Sequence, residues 1–328
     1  MKIAIVILNW NGKKLLEEFL PSVVRYSDPK YVAIYVADNA STDDSIAYIK
    51  KNFSTVSIIK NIKNWGFARG YNEALKEVEA DIYALVNSDI EVTTNWLEPI
   101  LKQFKEDKET AIIQPKILDF KNKTQFEYAG AAGGFVDKLG YPYCKGRIFL
   151  SLEKDLGQYD GTYPIFWGSG ACFFIRSNVF HELGGFDNDY YAHQEEIDLC
   201  WRANNKGYKI TYVGASTVYH VGGATLKNYH WKKTFLNFRN SLYSITKNAP
   251  NFIFLVFLRL VLDGVAGIKF TLEGKPIHTL AIIKAHFSYY ANFRKMYLKR
   301  KKNPIKNKDY FQTKSIVWDY FIKRRKHF

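Results

Sequence analysis

The sequence predicts an α/β protein with a largely parallel sheet flanked by helices on both faces. Apolar segments of strand length alternate with amphipathic helical segments up to about residue 90. This alternation is typical of consecutive βαβ units. The chain has 328 residues, of which 47% are hydrophobic, enough for one large domain or two ordinary ones. After about Tyr229 the pattern gives way to helical and basic segments.

Four apolar segments in the first part of the chain are predicted strands: Ile3–Leu8, Val32–Ala37, Val56–Lys60 and Ile82–Val86. Three helices are expected between them. They cover about Lys13–Tyr26, a segment that starts at the N-cap residue Ser41, and the sequence GFARGYNEALKEV.

The middle of the chain stays mixed. AIIQPKIL and ACFFIRS predict strands, and EEIDLCWRANNKGYK predicts a helix that ends near Gly207. ITYVGASTVYHVGG predicts a pair of strands followed by a glycine-rich loop. The three cysteines, Cys144, Cys172 and Cys200, lack metal-motif spacing, and their odd number argues against a disulfide framework. Cysteines in apolar patterns of this kind are typical of a protein core. Free cysteines also fit a reducing cytoplasm.

The C-terminal part carries most of the positive charge. Of a net charge of +15, residues 294–328 contribute +11, which predicts attraction to a nucleic acid or to an anionic membrane. Residues 251–270 are apolar but carry Arg259 and Asp263 centrally, and such charges are costly in a spanning helix. We therefore expect an amphipathic segment in the membrane interface; a soluble helical subdomain is the alternative. The tail contains no recognisable nucleic-acid-binding module.

Polar residues follow three of the predicted strands. They are Asn9-Trp10-Asn11-Gly12, Asp38-Asn39-Ala40-Ser41 and Asn87-Ser88-Asp89. A single such cluster is typical of a turn, whereas three at one edge of a parallel sheet predict a binding crevice. The first cluster does not match the dinucleotide fingerprint G-x-G-x-x-G. The third offers hard oxygen ligands, which suit Mg²⁺ or Mn²⁺ together with a substrate diphosphate.

Two glycine-containing segments are candidate substrate loops. NWGFARGYN would let backbone approach a phosphate at Gly66 and Gly70, with Arg69 as a cationic partner. The alternative is an ordinary turn into a helix. WGSGACFFI places Trp167 where it could stack on a sugar, with Gly168, Ser169 and Gly170 beneath the substrate. The alternative is a buried tryptophan.

The segment HQEEIDLCWR contains three acids at a helix start. Glu195, Glu196 and Asp198 could serve as N-terminal helix acids, or one of them could be a general base, because clustered carboxylates raise one another's pKa. Arg202 lies near one turn further on and could pair with one of them. His220, before two glycines, is a candidate ligand or proton carrier, although a lone histidine is more often structural.

These segments together resemble family 2 inverting glycosyltransferases with the GT-A fold, in particular bacterial rhamnosyltransferase-like enzymes. The resemblance runs from Ile3 to about Thr225. It rests on eight segments in order: ILNWNG, VADNASTDDS, NWGFARGYN, LVNSDIEV, WGSGACFFIR, GGFD, EEIDLCWRANNKGYKI and VYHVGG. It implies a GT-A catalytic domain over residues 1–228 and a helical, basic, membrane-associating region over residues 229–328.

The resemblance also implies roles for individual residues. Asp89 and His220 would bind a divalent metal, Mg or Mn. Glu196, or else Glu195, would be the base. Donor-binding residues would be Asn9, Asn11, Asp38, Asn64, Gly66, Arg69, Asn87 and Ser88. The acceptor would contact Trp167, Gly168, Ser169 and Gly170. Asn87 departs from the aspartate usual at its position, and Glu196 likewise replaces the more common aspartate.

The implied reaction transfers a sugar, with inversion, from a UDP- or dTDP-sugar to a glycan or lipid-linked acceptor in cell-surface polysaccharide synthesis. The enzyme is expected in the cytoplasm, peripheral on the inner face of the cell membrane, with no nucleic-acid partner. Two alternatives stay open: a nucleotidyltransferase that makes a nucleotide sugar, which the segment NWNGKK fits poorly, and a non-catalytic membrane-bound scaffold.

Overall fold

The computed structural model describes residues 1–222, 230–303, 305 and 307–327. These residues form an α/β fold, as the sequence predicts. The strands are β1 (Ile3–Asn9), β2 (Val32–Asp38), β3 (Val56–Lys60), β4 (Ile82–Asn87), β5 (Ile90–Val92), β6 (Thr110–Asp119), β7 (Gly134–Val136), β8 (Pro142–Cys144), β9 (Arg147–Ile148), β10 (Ser151–Leu152), β11 (Thr162–Pro164), β12 (Cys172–Arg176) and β13 (Lys209–His220).

The helices flank the sheet and then form the C-terminal region. They are α1 (Lys13–Arg25), α2 (Ser45–Asn52), α3 (Gly66–Ala74), α4 (Glu98–Glu106), α5 (Ser177–Glu182), α6 (Glu195–Lys206), α7 (Trp231–Asn248), α8 (Phe252–Leu272), α9 (Pro276–Lys302) and α10 (Ile316–Phe321). A 3-10 turn, Leu75–Glu77, extends α3. Helix α6 ends at Gly207, which adopts a positive φ of 93° as a C-cap.

The central sheet is parallel in one half and mixed in the other. Among the described residues it has nine strands, in the order β11-β13-β6-β12-β4-β1-β2-β3, with β5 paired to β13. Strands β4, β1, β2 and β3 are mutually parallel, as predicted. Strand β12 runs antiparallel between β4 and β6. The register pairs Asn9 with Asp38 and Leu8 with Asn87, so the polar strand ends meet at one edge.

Two predicted elements differ in detail. Helix α2 begins at Ser45 rather than at Ser41, because the Ser41 hydroxyl accepts hydrogen bonds from Asn9 Nδ2 (3.1 Å) and the Asn11 backbone N–H (2.9 Å). Strand β13 is one strand rather than two. Its pairing with β6 shifts register between Val213 and Thr217, and this irregularity accounts for the interruption in the sequence pattern.

A smaller antiparallel sheet, in the order β10-β9-β8-β7, lies beside the mixed half of the central sheet. An isolated bridge joins Gly134 of β7 to Trp167, and another joins Leu118 of β6 to Phe126. This small sheet was not anticipated from the sequence, since its strands are only two or three residues long. It brings the segment around Arg147 close to the sheet edge that carries the polar residues.

The C-terminal helices pack on one another and on α6. Helix α7 packs against α6, α8 and α9. Arg259 and Asp263, central in the apolar helix α8, are both buried against the protein. No helix of the described residues is sufficiently long and apolar to cross a membrane. The predicted domain boundary between residues 228 and 229 lies outside the described residues and stays a prediction.

Candidate active site

The ends of β1 and β2 form a hydrogen-bonded polar floor. Asn9 Nδ2 donates to Asp38 Oδ1 (3.1 Å), and Asp38 Oδ2 accepts from the Ser41 backbone N–H (2.9 Å). Asn11 Oδ1 accepts from the Thr42 N–H (2.7 Å), so Asn11 braces the loop after β2. Asn9 Oδ1 is buried without a partner in the described residues. Such an atom is an acceptor that a bound ligand could satisfy.

The start of α3 is fastened to the same floor through two asparagines. Asn39 Nδ2 donates to the Gly66 carbonyl (2.9 Å), and Asn61 Nδ2 donates to Asn39 Oδ1 (2.8 Å). Gly70 permits this approach, since a Cβ there would lie 2.7 Å from Asn39 Nδ2. Asn39 and Asn61 were missed as site-building residues. Asn39 stands in one of the polar clusters, whereas no pattern identified Asn61.

In the structure, residues that were predicted to form the donor loop stabilise the turn at the start of α3. Asn64 Oδ1 accepts from the Gly66 N–H (2.9 Å), and Gly66 adopts a positive φ of 74°. The Arg69 guanidinium lies 3.3 Å from the centre of the Trp65 ring and 3.4 Å from Glu73 Oε1. Asn87 and Ser88 lie half-buried at the end of β4. Their contacts with a donor stay a prediction.

Asp89 and His220 are brought together as a pair. Strand β5 pairs with β13 so that Ile90 faces His220, and Asp89 Oδ1 lies 3.2 Å from His220 Nε2. Glu127 Oε2 lies 3.4 Å from His220 Nδ1, a contact without good hydrogen-bond geometry. Burial would lower the pKa of His220, but the carboxylates of Glu127 and Asp89 outweigh it and raise that pKa to about 10. Glu127 was missed, because its loop shows no motif and reaches His220 only through the tertiary fold.

For this pair to hold a divalent metal that is completed by substrate, the ion must displace the proton between Asp89 and His220. A carboxylate and an imidazole lie within 3.2 Å of each other, and Glu127 is placed as the carboxylate that commonly orients a metal-binding histidine. In the described part of the chain no group of three His, Cys, Asp or Glu side chains could hold an ion. The protein would therefore supply two ligands, and a substrate diphosphate and water the others.

The two candidate bases begin α6 after a strained loop. Tyr191, His193 and Gln194 all have φ between 66° and 68°. Such conformations persist only where the surroundings enforce them. Here Asn240 Nδ2 from α7 donates to three carbonyls of the loop, at distances of 2.7 to 3.2 Å. The C-terminal region thus helps to hold the segment from which the bases project.

Glu195 and Glu196 have raised pKa values. Burial raises the pKa of Glu195 well above its usual value, and the neighbouring Glu196 adds to the effect. Burial raises the pKa of Glu196 to about 7. One carboxylate oxygen of each is buried without a partner in the described residues. A carboxylate with a pKa near 7 is suited to accept a proton at neutral pH.

Asp198 is held as an ion-pair partner and is not available as the base. It is fully buried and accepts from Arg202 Nε (2.9 Å), Asn248 Nδ2 (2.8 Å) and the Tyr190 hydroxyl (3.2 Å), and Lys247 Nζ lies 2.8 Å away. Burial would raise the pKa of Asp198, but Lys247 and Arg202 outweigh it and hold it below the usual value. The predicted pairing with Arg202 is confirmed.

The predicted acceptor loop requires a correction. Trp167 is only 3% exposed, its indole N–H donates to the Phe135 carbonyl (2.9 Å), and its ring packs on Gly134. It is therefore a core residue, and its predicted stacking on a sugar is wrong. Ser169 is also buried, with its N–H donating to Gln114 Oε1 (2.8 Å). Gly168 lies buried beside Cys200.

Gly170 alone of this loop borders the candidate base. A Cβ on Gly170 would lie 3.8 Å from Glu196 Cβ. The exposed aromatics near this edge are instead Trp10, Tyr128 and Tyr191, which sequence patterns did not single out as acceptor residues. Their surroundings depend on loops that meet only in the folded chain.

The mixed sheet flanked by helices is a GT-A-like fold, which the chain shares with solved glycosyltransferases. The chain belongs to glycosyl transferase family 2, whose family model matches residues 4–184. It is 22% identical over 234 residues to the N-acetylglucosaminyl-diphospho-decaprenol L-rhamnosyltransferase of Mycobacterium tuberculosis, covering 66% of this chain and 75% of the relative.

Two solved structures share the fold. GalNAc-T7 with UDP, GalNAc and Mn2+ superimposes with a TM-score of 0.59 at 21% identity, covering 75% of this chain and 48% of that one. The present chain therefore spans about half the length of that protein. The mannosyltransferase PcManGT from Pyrobaculum calidifontis, in complex with GDP-Man and Mn2+, gives a TM-score of 0.54 at 13% identity and covers 88% and 87% of the two chains.

Proposed function

We propose that the protein transfers a sugar, with inversion, from a nucleoside-diphosphate sugar to a hydroxyl of a lipid-linked glycan in cell-surface polysaccharide synthesis. One observation carries the proposal: Asp89–His220 and Glu195–Glu196 lie at the same sheet edge as the Asn9–Asp38 floor, with unpartnered polar atoms among them. The rhamnosyltransferase relative acts on a diphospho-decaprenol acceptor, which supports the lipid-linked class.

Each residue has a task in this reaction. Asn9 and Asp38 hold the nucleoside, and Asn87 and Ser88 lie nearest to the sugar. A divalent ion held by Asp89 and His220 would offset the charge that develops on the departing nucleoside diphosphate. Glu196 accepts the proton of the acceptor hydroxyl as this hydroxyl attacks the anomeric carbon from the face opposite the leaving group.

A screen of nucleotide sugars tests the reaction class. Purified full-length protein is incubated with each donor and a lipid-linked acceptor, with Mn²⁺, with Mg²⁺ or with chelator, and acceptor-dependent release of nucleoside diphosphate is measured. We expect release with one donor class, loss in chelator, and loss in Asp89→Ala but not in the exposed-loop control Asp28→Ala. Full transfer in chelator would refute the metal role of Asp89 and His220. Release of pyrophosphate from a nucleoside triphosphate would instead identify a nucleotidyltransferase.

We propose further that the enzyme is cytoplasmic and lies on the inner face of the cell membrane through its C-terminal helices. Helices α8 and α9 expose a large apolar set: Ile253, Phe254, Phe257, Val261, Val265, Ile268, Leu272, Ile277, Leu280, Ile283, Phe287 and Tyr290. Contiguous exposed apolar surface of this kind is unusual on a water-soluble face. The adjoining +11 segment favours anionic lipid.

The buried charges of α8 support this arrangement. Asp263 Oδ2 lies 3.2 Å from His286 Nε2 of α9, and the Arg259 guanidinium lies 3.7 Å from the centre of the Tyr141 ring. Both charges therefore face the protein, which leaves the outer face of the helix apolar. An in-plane helix pair with basic flanks is the arrangement expected of an interfacial anchor.

Neutralising exposed tail charges tests the electrostatic part. Deleting residues 294–328 would also remove Lys299 and Arg300, which contact Asp187 and the α7 carbonyls. The better variant is Lys323→Gln with Arg324→Gln and Lys326→Gln, all exposed. We expect weaker sedimentation with phosphatidylglycerol vesicles at low salt and a smaller difference at high salt. Unchanged vesicle binding at low salt would show that these tail charges do not contribute to membrane binding.

A further inference from the structure

A cationic patch lies beside the candidate site and is not used by the proposed chemistry. We define the Arg147–Lys233 patch as Tyr128, Arg147 and Lys233. The Arg147 guanidinium carbon lies 4.7 Å from the centre of the Tyr128 ring, and Lys233 Nζ lies 5.9 Å from it. The Tyr128 side chain is 38% exposed. Two cations thus flank one aromatic ring that solvent and ligand can reach.

The patch adjoins the metal pair and lies within electrostatic range of the loop before the candidate bases. Tyr128 directly follows Glu127, whose carboxylate contacts His220. On the other side Arg147 Nη2 donates to Cys144 Sγ at 3.3 Å. Burial raises the pKa of this thiol, Arg147 lowers it, and the charges of Glu127 and Glu196 raise it further, so Cys144 lies within electrostatic range of both carboxyls. Lys233 is close to His193, in the loop before the bases, where burial and then the charge of Lys233 lower the histidine pKa to about 4.

The buried guanidinium of Arg147 keeps one donor without a partner in the described residues. Arg147 is 7% exposed, and its Nε has no partner in the described residues. Burial would lower the pKa of Arg147, but Cys144, Tyr128 and Glu127 outweigh it and raise that pKa. The Glu127 carboxylate also contacts His220. Burial lowers the pKa of Lys233, the charge of Glu127 partly offsets this, and the like charge of Arg147 lowers it further. A buried donor without a partner is costly, and two neighbouring cations are stabilised when an anion joins them. The planar guanidinium fork fits the oxygens of a phosphate.

The position of the patch favours the acceptor over the donor. Arg147 belongs to β9 of the small sheet, which is bridged at Gly134 to Trp167 in the loop that borders Glu196. The nucleoside floor lies at the ends of β1 and β2, in the other half of the central sheet. The donor diphosphate has the Asp89–His220 pair as its own partner through the metal. The patch is therefore available to a second anionic group, on the side of the site where Glu196 lies.

We propose that the Arg147–Lys233 patch binds a phosphate group of the acceptor, so that the preferred acceptor is a glycosyl diphosphate rather than a neutral glycan. This inference rests on the proposed function, because it assigns the acceptor class of that same site. Tyr128 provides the ring between the two cations, against which the sugar next to the phosphate packs.

Matched acceptors test this inference. Full-length protein is given its donor and either an alkyl-diphospho-N-acetylglucosamine or the alkyl glycoside of the same sugar without phosphate. The variants are Arg147→Met, Arg147→Lys and Lys233→Met. The control Lys209→Met removes one exposed positive charge at the opposite end of β13 from His220. We expect Arg147→Met to raise KM for the diphosphate acceptor about tenfold or more, with KM for the neutral acceptor and the Kd of the nucleoside diphosphate with Mn²⁺ unchanged.

Three results would overturn the assignment. An equal rise in KM for both acceptors would mean that Arg147 has a structural role. Weaker binding of the nucleoside diphosphate would assign the patch to the donor. Unchanged kinetics would show that the patch is not part of the site. If Arg147→Met does not fold, as judged by circular dichroism, Lys233→Met on the half-buried partner decides the question. If the wild type transfers to no acceptor, the proposed function fails. Calorimetric titration with the two alkyl probes then still tests the patch, and equal affinity for both would refute it.

Discussion

Strand β4 and the outer face of the C-terminal helices distribute polarity in opposite ways. In the sheet, β4 is apolar and fully buried from Ile82 to Val86, and polar side chains gather at the strand ends. In the helices Asp263 and Lys247 are buried, whereas Phe257 is 62% exposed. The interior of the sheet follows the usual rule that apolar residues are buried. The outer face of the helices is instead suited to lipid.

The two regions are joined through the helix that carries the bases. Lys247 of α7 lies between Asp198 of α6 (2.8 Å) and Asp187 (2.6 Å), and Asp187 also contacts Lys299 of α9 (2.5 Å). The buried charges of the helical region therefore tie it to the catalytic helix, while its apolar residues face outward. Removing the Glu196 carboxylate is therefore expected to lower kcat, whereas removing the Lys247 charge is expected to lower the free energy of unfolding.

The largest effect is expected at the candidate base. Glu196→Gln removes the proton acceptor and should lower kcat about 100- to 10,000-fold. Glu195→Gln should cost less, because burial and the neighbouring Glu196 raise the pKa of Glu195 and so favour its neutral form, which an amide resembles. Steady-state transfer assays compare the two at pH 7.5. The reverse order of losses would assign the base to Glu195.

The next effect concerns the charge that links the regions. Lys247→Met leaves Asp187 and Asp198 without this buried partner and should lower the free energy of unfolding by about 3–5 kcal/mol. The control Lys295→Met breaks an ion pair with Asp189 in which the lysine is 55% exposed, and it should cost less than about 1 kcal/mol. Urea unfolding followed by circular dichroism measures both. An equal loss of unfolding free energy in the two variants would contradict the stronger effect expected for the buried ion pair.

Exposed apolar residues in the two regions should also behave differently. Phe254→Ser with Phe257→Ser on α8 should weaken binding to phosphatidylglycerol vesicles about tenfold or more, since each ring contributes apolar area to the lipid contact. The control pair Ile62→Ser and Leu156→Ser, exposed in the sheet region, should leave vesicle binding unchanged. Flotation assays give both values. An equal loss of vesicle binding in the two double variants would show that exposed apolar residues behave alike in both regions.

The smallest effect is the pH dependence of the base. Glu196 acts in its deprotonated form, and burial raises its pKa to about 7, so kcat/KM should rise about tenfold between pH 6 and pH 8. The residual activity of Glu196→Gln should lack this rise. A wild-type profile that is flat over this range would contradict the raised pKa.

The sequence predicts the sheet region better than the helical region, for physical reasons. Alternating apolar segments and polar strand ends depend on local pattern, and the expected meeting of Asp89 with His220 is confirmed by the β5–β13 pairing. Glu127 could not be found, because its loop reaches His220 through long-range contacts. Trp167 was assigned to the acceptor wrongly, since a tryptophan before glycines suits a buried turn equally well.

The helices illustrate the same limit. The apolar run with Arg259 and Asp263 was identified as unsuited to a span, and no described helix could cross a membrane. Which side of α8 faces outward depends on Tyr141 and His286, far apart in the chain, so periodicity alone could not decide it. The orientation of a helix face is set by its partners rather than by its own sequence.

The most direct test of the account is the anomeric configuration of the product, determined by NMR for wild type and for Glu196→Gln with the donor found in the screen. The account predicts a single product whose anomeric configuration is opposite to that of the donor, formed by the wild type and almost absent with Glu196→Gln. A product that retains the donor configuration, or equal product formation by the two proteins, would contradict it.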